Sequence, residues 1–106
     1  MGSGQEYFHL EVEETDGRTT IRLSGEFDTQ AAQSFDRAMD SVMVSKPAMV
    51  VIDLAEVSFI DSSGLRSLIR AQRVISVTGS LTLQNPRPAT VRLLDITGLA
   101  DEFSVG

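Results

Sequence analysis

The chain has 106 residues, 42% of them hydrophobic and 23% charged, which is room for one globular domain and too ordinary a composition for disorder. It contains no cysteine, which excludes disulfides, thiolate metal sites and cysteine nucleophiles and fits a reducing compartment. A net charge of −6 argues against direct nucleic-acid binding, and no apolar run approaches the roughly 20 residues of a membrane span.

Residues 5–106 are read as the domain, and Met1–Gly4 is set aside as an extraneous or disordered leader. The start of the chain lacks a basic-then-apolar signal, so a cytoplasmic location is expected. Phe8, Leu10 and Val12 alternate with Tyr7, His9 and Glu11, the period of a half-buried strand. Asp16-Gly17 predicts a hairpin turn, and Thr19, Ile21 and Leu23 continue as a second, antiparallel strand. Phe35, Ala38, Met39, Val42 and Met43 then recur at helical spacing, with Asp28 or Thr29 as N-cap and Lys46-Pro47 closing the segment.

Met49-Val50-Val51-Ile52 is a continuous apolar run, expected as a parallel strand covered on both faces. Strand, helix and strand form a right-handed βαβ unit. A second helix is expected from about Ser62 to Val77, with Leu65, Leu68, Ile69, Ile75 and Ser76 on its inner side. Leu81 and Leu83 mark a fourth strand, and Pro88 suits the first turn of a short third helix begun by Val91 and Leu94 and stopped by Gly98. Phe103 and Val105 form a last strand or simply pack. The fold class is therefore α/β: a mixed four- to five-stranded sheet with helices packed on it.

That topology has a functional consequence. In open α/β sheets the loops at the carboxyl ends of parallel strands line the binding edge, so Asp28 and Ser62 are expected to meet there. Catalytic routes find little support. His9, the only histidine, lies on the outward phase of the first strand and is expected at the opposite end of the sheet from Ser62, out of reach of a Ser-His-Asp triad. No phosphate-cradling G-x-x-x-x-G-K-[ST] occurs, so no catalytic, metal or cofactor-binding residue is assigned. In Phe59-Ile60-Asp61-Ser62-Ser63-Gly64-Leu65, Asp61 or Ser62 can cap the second helix and Gly64 can allow tight packing. A serine at a helix N-terminus is also well placed to carry a phosphate, whose charge the first-turn N–H groups and the helix dipole accommodate. Arg66, Arg70 and Arg73 form an outward basic stripe, either a solvated face or a contact for an acidic surface, with Arg66 near enough to support a phosphate on Ser62.

Asp61-Ser62-Ser63-Gly64-Leu65, preceded by Val50-Val51-Ile52-Asp53-Leu54, resembles the signature of the STAS domain, in particular that of the anti-sigma-factor antagonists (anti-anti-sigma factors). Leu23-Ser24-Gly25-Glu26-Phe27-Asp28 is similar to that family's L-x-G-E-L-D turn, with Phe27 in place of leucine, and residues 91–99 are similar to its closing helix. The resemblance spans about Tyr7 to Val105. It implies a non-catalytic regulator of transcription by partner switching. Unphosphorylated, such a protein binds an ATP-dependent serine-kinase anti-sigma factor and releases the sigma factor. Phosphorylation at the position of Ser62 ends the complex, and a PP2C-type phosphatase restores it. The resemblance implies partner binding at Asp28, with Asp61 and Ser63 flanking the phosphoacceptor; Gly64 and Arg66 complete the expected surface. ATP and magnesium belong to the kinase, so no cofactor is expected. The alternative is a STAS-type accessory subunit of a lipid or anion transport system, or a stress-signalling scaffold component.

Overall fold

The computed structural model describes residues 7–98, 101 and 103–105. Met1–Gly4 and Leu99, on which two of the sequence expectations fall, lie outside the described residues. Asp16 and Gly17 have φ of 49° and 79°, the two successive positive values that turn β1 (His9–Thr15) tightly into β2 (Arg18–Phe27). The pair is antiparallel, with Thr15 opposite Arg18. Helix α1 (Thr29–Val44) then crosses over to β3 (Met49–Ile60), which runs parallel to β2. Helix α2 (Ser62–Ile75), β4 (Ser80–Gln84), α3 (Pro88–Thr97) and β5 (Ser104–Val105) complete a mixed sheet of order β1-β2-β3-β4-β5. No helix among the described residues is long and apolar enough to cross a membrane.

The core forms because the periodicities agree. Strand β2 buries Thr19, Ile21, Leu23 and Phe27 on one face and leaves Arg18, Arg22 and Glu26 exposed on the other. Val50, Ile52 and Leu54 of β3 add to the same core, which Phe35, Met39 and Val42 of α1 and Leu65, Leu68 and Ile75 of α2 close. Val51, on the opposite phase of β3, is also buried, whereas Met49 beside it is half exposed.

Several expectations need correction. The strand alternation places Val12 inside, yet it is 43% exposed, because β1 is an edge strand and only Phe8 and Leu10 near its start pack on the core. Helix α2 stops at Ile75; Ser76 is the C-cap, exposed, its hydroxyl donating to the Arg73 carbonyl at 2.9 Å instead of lying on the inner side. In α3, Leu94 is buried but Val91 faces outward.

Strand β3 matters most for function. It has 12 residues, whereas β4 pairs only with its Met49–Asp53 portion. The remainder runs on beside β2 through a register irregularity that pairs Gly25 with Val57 and Glu26 with Phe59. That overhang carries Ile60 level with Phe27, so β2 and β3 end side by side.

Candidate functional site

Each of the two strand ends is followed by an aspartate that starts a helix. Asp28 has extended backbone (φ −102°, ψ −167°), and its Oδ1 accepts from the Ala31 N–H at 3.0 Å. Asp61 repeats the arrangement (φ −96°, ψ −174°), its Oδ1 accepting from the Gly64 N–H at 3.0 Å. Each cap satisfies an orphan helix donor and is worth about 1 kcal/mol. The Asp61 N–H donates to the Phe27 carbonyl at 3.2 Å, and the Thr29 and Ser63 hydroxyls are hydrogen-bonded at 3.0 Å across 34 positions of sequence. Asp28 and Ser62 therefore stand on one edge, as the βαβ topology predicts.

Ser62 is the first residue of α2; its side chain is exposed and makes no hydrogen bond among the described residues. Its neighbour Ser63 is half-buried and held by Thr29. Gly64 is buried in the first turn of α2. A Cβ there would lie 2.5 Å from the Phe27 carbonyl oxygen, 2.9 Å from Phe27 Cγ and 3.2 Å from Ile60 Cγ2. Glycine thus lets α2 begin directly on the end of β2. Phe27 is itself fixed, its ring stacked on Phe8 (centroids 5.4 Å apart) and edge-on to Phe35 (5.3 Å).

The arginine stripe is not uniform. Arg70 Nη1 lies 3.3 Å from Asp36 Oδ2 and ties α2 to α1, whereas Arg66 and Arg73 are exposed and make no ion pair among the described residues. Arg66 follows Ser62 by four residues and so shares its face of the helix. The positive end of α2 and an exposed guanidinium one turn later thus stand beside the Ser62 hydroxyl, on an edge that also holds the carboxylates of Asp28 and Asp61.

His9 is not at the opposite end of the sheet. It starts β1 in register with Ser24, near the end of β2, because an antiparallel strand begins where its partner finishes. Its ring is exposed, with Nε2 3.5 Å from Glu11 Oε2, and no hydrogen bond among the described residues joins it to Ser62. Two residues of the edge escaped the sequence reading in these positions. Thr29, considered there only as a cap, contacts Ser63 instead; Phe59, beside the Ser62 loop, is 52% exposed. The signal for Thr29 lay in its placement directly after an aspartate cap on the helix facing Asp61-Ser62-Ser63.

The STAS domain family model matches residues 9–106. An anti-sigma-B factor antagonist from Listeria monocytogenes is 33% identical over 98 residues, spanning 91% of this chain and 86% of the relative. An anti-sigma factor antagonist from Mycobacterium paratuberculosis superposes with a TM-score of 0.85 at 30% identity, over 93% of this chain and 85% of that one. The Bacillus cell fate determinant SpoIIAA, solved in its phosphorylated form, superposes with a TM-score of 0.72 at 25% identity, over 94% of this chain and 91% of that one. With this fold, this edge and these relatives, the chain belongs to the STAS-domain family of anti-sigma-factor antagonists.

Proposed function

We propose that this chain is a non-catalytic, cytoplasmic partner-switching regulator whose signal is reversible phosphorylation of Ser62. Unphosphorylated, it binds an ATP-dependent serine-kinase anti-sigma factor and frees the sigma factor for RNA polymerase. The kinase transfers phosphate to Ser62 and the complex separates, until a PP2C-type phosphatase resets it. ATP and magnesium serve the kinase, and this chain contributes the acceptor hydroxyl and the surface around it: Asp28, Asp61, Ser63 and Arg66; Gly64, expected on that surface, is buried against Phe27 and seats the helix beneath it instead.

The observation that carries this reading is the Ser62 hydroxyl, exposed at the start of α2 on the edge that also holds Asp28. A relative with the same fold, SpoIIAA, has been solved in a phosphorylated form. The physics of the switch lies at the surface. On the free chain a phosphate at an exposed helix N-terminus is stabilised by roughly 0.3–1 kcal/mol, so the fold is little disturbed. Pressed against a partner shaped for a hydroxyl, the same dianion must shed water without a ready counter-charge, at a cost of several kcal/mol.

Incubation with the serine-kinase anti-sigma factor and Mg-ATP, followed by phosphopeptide mapping, tests the assignment. Label is expected at Ser62; label confined to Ser63 overturns it. Ser62→Ala is expected to bind the kinase and to resist inactivation.

A further inference from the structure

Two adjacent serines open α2, and the structure treats them differently. Successive residues of a helix point about 100° apart. Here the rotation of α2 is fixed from below, by buried Gly64 on Phe27 and by Leu65 and Leu68 in the core. That rotation sends Ser62 outward, where its hydroxyl is exposed, and turns Ser63 toward the first turn of α1, where its Oγ sits 3.0 Å from Thr29 Oγ1. Thr29 itself is exposed, but the backbone on both sides of the pair is fixed. Asp28 caps α1 immediately before Thr29, Asp61 caps α2 immediately before the serines, and the Asp61 N–H bond to the Phe27 carbonyl ties the two loops together.

We infer that Thr29 decides which serine accepts phosphate: its hydroxyl holds Ser63 between α1 and α2 and leaves Ser62 as the free nucleophile of the pair. The inference rests on the kinase reading above. In the transfer, Ser62 Oγ gives its proton to a base on the kinase and its lone pair forms the new bond to the γ-phosphorus of ATP. The bond from that phosphorus to the β,γ-bridging oxygen breaks, and its electron pair leaves on ADP. To turn outward as Ser62 Oγ does, Ser63 Oγ exchanges its bond to Thr29 for water and leaves its half-buried position. Thr29 is thus a positioning residue, acting through Ser63.

The test is the ratio of Ser63 to Ser62 phosphopeptides after partial reaction with the serine-kinase anti-sigma factor and Mg-ATP. Thr29→Val keeps the shape and deletes the hydroxyl; Thr29→Ala deletes it without branching, should valine disturb the first turn of α1. Releasing one hydrogen-bonded hydroxyl is expected to raise the ratio about three- to tenfold. Thr29→Ser, which keeps the hydroxyl, is expected to return the ratio to that of the parent. In a Ser62→Ala background, the rate of labelling at Ser63 is expected to rise by the same factor when Thr29→Val is added. A general loosening of the domain affects both serines and does not produce this ratio or its rescue by serine. Label at Ser62 in the parent with an unchanged ratio in Thr29→Val, or no rescue by Thr29→Ser, overturns the role of Thr29 and leaves the kinase reading intact. No label on either serine of the parent chain overturns the kinase reading, and this inference with it.

Discussion

Replacing Gly64 by alanine isolates the contact on which the edge is built. Gly64 has an ordinary helical backbone, so alanine meets no conformational penalty there and gains about 1 kcal/mol of helix preference. The cost is steric. The added Cβ falls 2.5 Å from the Phe27 carbonyl oxygen, about 0.9 Å short of ordinary contact, and 2.9 Å from Phe27 Cγ. Ile60 Cγ2, at 3.2 Å, can give way. The carbonyl cannot, because it accepts the Asp61 N–H, and the ring is held by Phe8 and Phe35. Overpacking of this kind costs about 1–3 kcal/mol, and the rigid neighbours place it at the upper end. After the helix gain, a net loss of about 1–2 kcal/mol remains, which for a domain of this size lowers the melting midpoint by about 5–15 °C. Thermal and urea unfolding followed by circular dichroism measure it. A Gly64→Ala variant as stable as the parent, or more stable, refutes the argument that glycine is required by the approach of α2 to β2.

Asp28→Ala removes one helix cap, so stability falls by about 1 kcal/mol. If Asp28 also contacts the kinase, affinity falls more than tenfold in a chain that calorimetry shows still folded; unchanged affinity removes Asp28 from the interface. Arg66 stands one turn after Ser62 without an ion pair among the described residues. A double-mutant cycle of Ser62→Asp with Arg66→Ala is therefore expected to give a favourable coupling of about 0.2–0.5 kcal/mol by urea unfolding. A coupling of zero means that Arg66 does not reach a negative charge at that position.

Much of the architecture was legible because local signals and global fold agree. Asp16-Gly17 specified the hairpin, the alternation in β2 its buried face, and the spacing of Phe35, Met39 and Val42 the packed side of α1. The meeting of Asp28 with the Ser62 loop followed from parallel topology alone. What escaped was set by lengths and edges rather than by residue type. Val12 has the right phase to be buried but lies along an edge strand away from its packed start. The extension of β3 past β4 leaves no mark in a chain that continues Asp53-Leu54-Ala55-Glu56, yet it brings Ile60 level with Phe27. The end of the sheet at which His9 lies is set by antiparallel pairing and not by the outward phase of its side chain: the first strand of a hairpin starts beside the last residues of the second. The bond between Thr29 and Ser63 joins hydroxyls 34 positions apart and depends on the rotation of α2, which Gly64 sets by a contact that sequence spacing does not express.

The central claim is that the phosphate on Ser62 controls partner binding at the surface. Titration calorimetry of the serine-kinase anti-sigma factor against the unphosphorylated chain and against the chain stoichiometrically phosphorylated at Ser62 tests it most directly. A penalty of several kcal/mol at the interface, at about 1.4 kcal/mol per tenfold, predicts a loss of affinity of a hundredfold or more. Equal affinities for the two forms would contradict the account.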